Sequence, residues 1–150
     1  MKANAFTKNV LKLFLILLAF SSFKCNDNPL SPVEASLGSD FDIKFGQTTV
    51  FRSDDLYITF KDVSEARCPI GLECFWQGSA YITLMIRQRE TTIIDTVQTF
   101  NPEKIIRINS TSYYKLIVRG LTPYPVYKVA IIKEKYTLTL NVSRFQAIRK

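Results

Sequence analysis

Between Phe41 and Val142 the chain repeats one pattern: apolar side chains at every second position, in runs cut short by polar turns. Phe41, Ile43 and Phe45 alternate with Asp42 and Lys44. Leu56, Ile58 and Phe60 alternate with Tyr57, Thr59 and Lys61. Ala80, Ile82, Leu84 and Ile86 share a face opposite Tyr81, Thr83, Met85 and Arg87. Tyr114, Leu116 and Val118 repeat this against Lys115 and Arg119, and Tyr136, Leu138, Leu140 and Val142 against Lys135, Thr137, Thr139 and Asn141. Successive side chains of a strand point to opposite faces, so a period of two marks half-buried strands and argues against amphipathic helices over the same residues. β-branched and aromatic residues fill the runs, as a pleated, half-buried surface prefers. Turn signals separate them at Gly46-Gln47, Ser53-Asp54-Asp55, Asn101-Pro102-Glu103 and Lys133-Glu134-Lys135. The spacing predicts about eight strands, joined mostly as antiparallel hairpins in one all-β domain over 40–150. An antiparallel β-sandwich is the expected architecture, with a small closed barrel as the alternative.

The start of the chain follows a different rule. Four lysines and no acid fall within residues 1–24, and an unbroken apolar run extends from Leu13 to Phe20. The run is far shorter than the roughly 20 residues a spanning helix needs. It has the length of the apolar centre of a secretory signal peptide, so 1–24 is expected to be an export leader and not part of the fold. Two cleavage schemes compete. Ala19-Phe20-Ser21 suits ordinary signal peptidase, whereas Cys25 follows the apolar run at the distance of a lipid-modified first residue. Ser22 and Lys24 are poor residues for the lipoprotein motif. The polar, proline-bearing stretch over 25–39 nevertheless reads as a tether, and lipidation would remove the odd thiol of a three-cysteine chain. The lipid-anchored reading is favoured over simple secretion.

Charge and composition exclude several functions. The formal charge of +7 owes much to the leader: without it Lys and Arg fall from 20 to 16 against 13 acids, leaving +3. That excess forms no basic stripe, so no nucleic-acid partner is expected. The chain has no histidine, which removes Ser-His-Asp and Cys-His catalysis and the usual mixed zinc sites. No metal and no cofactor is expected.

Two cysteines, the only tryptophan and two glycines crowd into "RCPIGLECFWQGSA", residues 67–80. Two thiolates without histidine fall short of a metal site, and the spacing of Cys68 and Cys74 is not that of a Cys-x-x-Cys redox pair. In the oxidising space to which a leader delivers the chain, a local disulfide Cys68–Cys74 is the remaining reading. Pro69 and Gly71 help the chain reverse inside so small a ring. Trp76 is expected to begin the next strand and cap the core against the disulfide, with a stacking platform as its functional alternative. Gly78 is expected at a bulge or a close backbone approach.

The order Arg-Cys-Pro, Cys, Trp, Gly, Ala in this segment resembles the signature of small exported bacterial proteins, many of them lipoproteins of unknown function. "FDIKFGQTTVF" before it and "LTPYPVYK" and "KYTLTLNV" after it extend the likeness over most of the mature chain. Members of that family tend to carry Asp-Ser before the arginine, where Glu65 and Ala66 stand here. Glu65 could still pair with Arg67 from its longer arm. The resemblance implies an exported β domain with a disulfide loop, and it brings no activity.

Three functional readings follow. The favoured one is a non-catalytic β domain at the cell envelope, membrane-held through Cys25, that binds a protein, peptide or glycan. Its candidate surface comprises Arg67, Glu73 and Trp76 of the cysteine segment with Tyr124 and Tyr127 of "TPYPVY"; the two tyrosines could instead lie over the open end of the sandwich. The second is a carboxylate-dependent glycan hydrolase using acids among Asp62, Glu65 and Glu73, which would need two of them about 5–9 Å apart across a cleft. The third is a protease inhibitor with a disulfide-stiffened loop.

Overall fold

The alternating runs fold as two sheets, antiparallel but for one short edge pair, packed over a shared apolar layer. The computed structural model describes residues 32–145. Among them are nine strands: β1 (Val33–Glu34), β2 (Asp40–Lys44), β3 (Thr48–Phe51), β4 (Leu56–Ser64), β5 (Tyr81–Gln88), β6 (Thr91–Gln98), β7 (Glu103–Arg107), β8 (Tyr113–Thr122) and β9 (Thr137–Arg144). One sheet has the order β1-β3-β4-β5-β6, the other β2-β9-β8-β7. Both keep free edges, so the architecture is a sandwich and not a closed barrel. The leader over 1–24 and Cys25 lie outside the described residues. The stretch expected as a tether over 25–39 contributes β1, which pairs in parallel with β3 through Val33–Thr49 and Glu34–Val50.

The core follows from the alternation. Ile58 and Phe60 of β4, Ile82, Leu84 and Ile86 of β5, Leu116 of β8, and Leu138 and Leu140 of β9 are wholly buried. Edge-to-face aromatic pairs Phe41–Phe51 and Phe45–Phe60 join the sheets, with ring centroids 5.3 and 5.5 Å apart. Gly46-Gln47 is a turn, but it carries the chain from one sheet to the other and closes no hairpin.

Two bulges interrupt the pattern, between Phe60 and Asp62 in β4 and between Val118 and Gly120 in β8. Each adds one residue, so the inward face passes from Phe60 to Val63 and from Val118 to Leu121. Both bulged strands then run into the two long connections, residues 65–80 and 123–136, which meet at one end of the sandwich. There Ile70 donates its backbone N–H to Pro125 O at 2.9 Å and accepts one from Tyr127 N at 2.9 Å.

Cys68 and Cys74 are joined by a disulfide, with Cα atoms 5.9 Å apart. Closing so short a loop restricts the unfolded chain by about 2 kcal/mol. The double variant Cys68→Ser/Cys74→Ser should lose about that much in urea denaturation while keeping its far-ultraviolet β signature, because no core side chain comes from the ring.

Candidate functional site

A buried ion pair organises the end where the two connections meet. The chain leaves β4 through Glu65, and Arg67 follows two residues later, its side chain only 8% exposed. The guanidinium donates from Nε to Glu65 Oε1 at 2.8 Å and from Nη2 to Glu65 Oε2 at 2.5 Å, a two-pronged pairing that fits a carboxylate. Nη1 donates to Leu121 O near the end of β8 at 2.8 Å, and Nη2 donates to Pro123 O at the start of the second connection at 3.1 Å. Above it lies the Tyr124 ring, 4.6 Å from the guanidinium carbon to the ring centroid. From the residue before β9, Tyr136 donates its hydroxyl to Glu65 Oε2 at 2.9 Å. Arg67 thus clamps one connection to the other. The expected Glu65–Arg67 pairing is present. Arg67, expected on a contact surface, thus has a largely buried side chain that hydrogen-bonds within the domain.

Burial pushes the Glu65 carboxyl up, but the hydrogen bonds from Arg67 and Tyr136 outweigh it and hold the group below the ordinary glutamate value. Burial, with the hydrogen bond to Glu65, pushes the Tyr136 hydroxyl up to about 12. The signs follow by linkage. The stability contributed by Glu65 is complete above its ordinary value and is lost as pH falls through the depressed one. That contributed by protonated Tyr136 is complete below the ordinary tyrosine value and is lost as pH rises through about 12. Urea midpoints should therefore fall at both extremes, and replacing Tyr136 by Phe should shrink the alkaline limb to the part left by Tyr114, whose hydroxyl is also pushed up by burial and its hydrogen bond to Asp54.

Outside the clamp the same end is apolar and open. Trp76 is 68% exposed, and Phe75 beside it is fully exposed. This corrects the expectation that the indole would cap the core and start a strand: Trp76 sits in the connection, and β5 begins only at Tyr81. Ile70 and Leu72 of the ring are also exposed, as are Tyr124, Val126, Tyr127, Val129 and Ile132 of the second connection. Tyr124 borders both halves of the surface, a shallow hollow of about 460 Å³ over the disulfide and an apolar groove of about 580 Å³ running to Ile132. Glu73 is exposed in the ring. Four of the five residues expected on a binding surface, Glu73, Trp76, Tyr124 and Tyr127, therefore lie exposed on these two connections. Ile70, Leu72, Phe75, Val129 and Ile132 were not singled out from the sequence. The signal was present, since apolar residues that break the two-residue period inside a turn-rich segment have no strand face to occupy.

Gly78 closes the base of the ring. Its φ is +68°, and a Cβ there would stand 1.9 Å from Ala66 O, which is the close backbone approach expected of it. Cys68 N donates to Gln77 O at 2.8 Å alongside.

Two of the three acids named for hydrolysis, Asp62 and Glu65, are held in ion pairs, while Glu73 stands exposed in the ring. Asp62 accepts from Lys133 Nζ at 2.5 Å and from Val63 N at 2.8 Å, and Glu65 belongs to the clamp. The opposite end holds a polar hollow of about 480 Å³ that includes Asp54, Gln88, Tyr114 and Arg144. Asp54, its side chain almost wholly buried, accepts from Arg144 Nε at 2.6 Å and Tyr114 Oη at 3.1 Å. Tyr114 Oη in turn accepts from Gln88 Nε2 at 2.8 Å. These groups satisfy one another and tie β9, β8 and β5 to the turn before β4. No family model, curated protein or solved structure matches the chain.

Proposed function

We propose that this chain is a non-catalytic binding domain of the bacterial cell envelope, exported by its leader and anchored through a lipid on Cys25. It acts by contact, and the disulfide end of the sandwich is its contact surface for an envelope protein, peptide or glycan. One observation carries the reading. Large apolar side chains stand exposed together on two connections that are themselves held rigid by a disulfide, a buried ion pair and backbone hydrogen bonds. Soluble domains rarely leave such a cluster uncovered without an interaction to make, and a stiff frame lowers the entropic cost of making it. The engagement of Asp62 and Glu65 in ion pairs supports a role without turnover.

The test places a photoreactive residue at Phe75 in the full chain, in cells, and a second one at Ser53 on the far end as control. Irradiation should yield adducts from position 75 and none from position 53, and the yield should fall when Trp76 and Tyr124 are both replaced by Ala. Equal adducts from both positions, or a yield indifferent to Trp76 and Tyr124, would show that this end is not the contact surface.

A further inference from the structure

We infer that the disulfide end is a membrane-contact face, seated at the headgroup level of the bilayer that holds the N-terminus. The inference rests on the reading of this end as the contact surface and of Cys25 as the anchor, and it names the bilayer as the surface met.

Strand directions carry the first part of the argument. β1 runs parallel to β3, and β3 runs antiparallel to β4, whose end at Ser64 leads into the cysteine ring. Val33 is therefore the end of β1 nearer the ring, and the chain enters the domain from that side. In register, Val33 stands beside Thr49, which stands beside Ile58. From Ile58 to Ser64 the strand climbs about 20 Å towards the ring at roughly 3.3 Å per residue.

Tether length carries the second part. Seven residues lie between Cys25 and Val33, and the eight Cα-to-Cα steps, fully stretched, reach no more than about 28 Å. A lipid on Cys25 thus keeps Val33 within about 28 Å of the bilayer, on the side where β4 alone already extends about 20 Å. The ring projects beyond that. A leash of that reach lets the disulfide end, which projects on the same side of the domain, come down onto the surface.

The chemistry of the end fits that place. Tryptophan and tyrosine, with an apolar body and a polar tip, favour the boundary between headgroups and acyl chains. Trp76, Tyr124 and Tyr127 stand there beside the purely apolar Phe75, Leu72 and Ile70. Lys128 lies 5.2 Å from the Tyr127 ring centroid and Lys135 borders the apolar groove, where long stems can lie on apolar surface while their ammonium groups meet phosphate. Within residues 68–77 the only charged side chain is Glu73. The contact is shallow, because connections with polar backbone cannot enter the hydrocarbon.

Trp76 is the only tryptophan of the chain, so its fluorescence reports this end alone. The full chain extracted from membranes is reconstituted into vesicles of three parts phosphatidylethanolamine to one part phosphatidylglycerol, with and without lipids brominated near the headgroup end of the acyl chain. Emission should shift to the blue relative to the chain unfolded in urea, and shallow bromine should quench it by at least half. Replacing both Leu72 and Phe75 by Glu, two exposed positions that the fold does not need, should abolish most of the quenching. Emission unaffected by brominated lipid would overturn the inference. In that event protein or glycan adducts at position 75 would leave the binding reading standing with another occupant, and their absence would take both down.

Discussion

Replacing Arg67 by Met should cost the domain about 3 kcal/mol, the lower end of what breaking a buried ion pair removes, and lower its melting temperature by roughly 10 °C. The estimate takes the lower end because Glu65 keeps 21% side-chain exposure, and water can recover part of what the carboxylate loses. The remainder has no substitute. Methionine fills the space but leaves Glu65 with Tyr136 and the Arg67 backbone N–H as its donors. It also strips the carbonyls of Leu121 and Pro123 of their partners. Against a net stability of about 5–10 kcal/mol for a domain of this size, such a loss is large. Thermal and urea unfolding measure it, and pH identifies its source. An uncompensated Glu65 prefers its proton, so the gap between wild type and variant should narrow as pH falls and the native pair itself is lost. Arg67→Lys keeps the charge without the fork and should recover only part. Replacing Glu65 and Arg67 together by Met should cost less than the two single changes summed, since no charge is then left alone. A gap that stays constant across pH would mean that packing, and not the ion pair, is what Arg67 supplies.

The same residue shows where reading from sequence stops. Arg67 looked like a surface cation because its carbonyl partners lie 54 and 56 residues away, and no local pattern reveals them. The strands that were legible, β2, β4, β5, β8 and β9, each turn one face to the core, which imposes the period of two. Those that were not are short or lie at an edge. In β6 the outward Ile94 is 69% exposed, next to Asp95, which is held by Lys104 Nζ at 2.5 Å, so apolar and polar residues no longer alternate. β7 places Ile105 outward beside the buried Ile106, and β3 buries Thr49 where an apolar residue would be expected. The disulfide was legible from chemistry and compartment. The exposure of Trp76 was not, since an indole beside a cysteine packs inward as readily as it points outward.

Gly78 is the position where one methyl group should do most damage. Gly38, Gly71 and Gly78 share a left-handed backbone, with φ of +85°, +86° and +68°, so alanine at any of them meets a similar conformational penalty of about 1–2 kcal/mol. Their surroundings differ. At Gly38 an added Cβ meets nothing within 4 Å, and at Gly71 it meets Tyr127 Cβ at an ordinary 3.9 Å. At Gly78 it would stand 1.9 Å from Ala66 O and 2.9 Å from the carbonyl carbon. Those are backbone atoms, so relief requires the base of the ring to open. Opening it pulls on the Cys68–Gln77 hydrogen bond and on the Arg67 clamp beside it. Gly38→Ala and Gly71→Ala should each lower stability by about 1 kcal/mol. Gly78→Ala should lower it by 3 kcal/mol or more, in the range reserved for strain and broken buried networks (about 3–5 kcal/mol). It should also lose Arg67-dependent stability, so that adding Arg67→Met to Gly78→Ala costs much less than Arg67→Met alone. Urea unfolding of the three glycine variants and the double variant measures both effects. Equal losses at all three glycines would mean that the backbone contact at the ring's base is not what holds the two connections together.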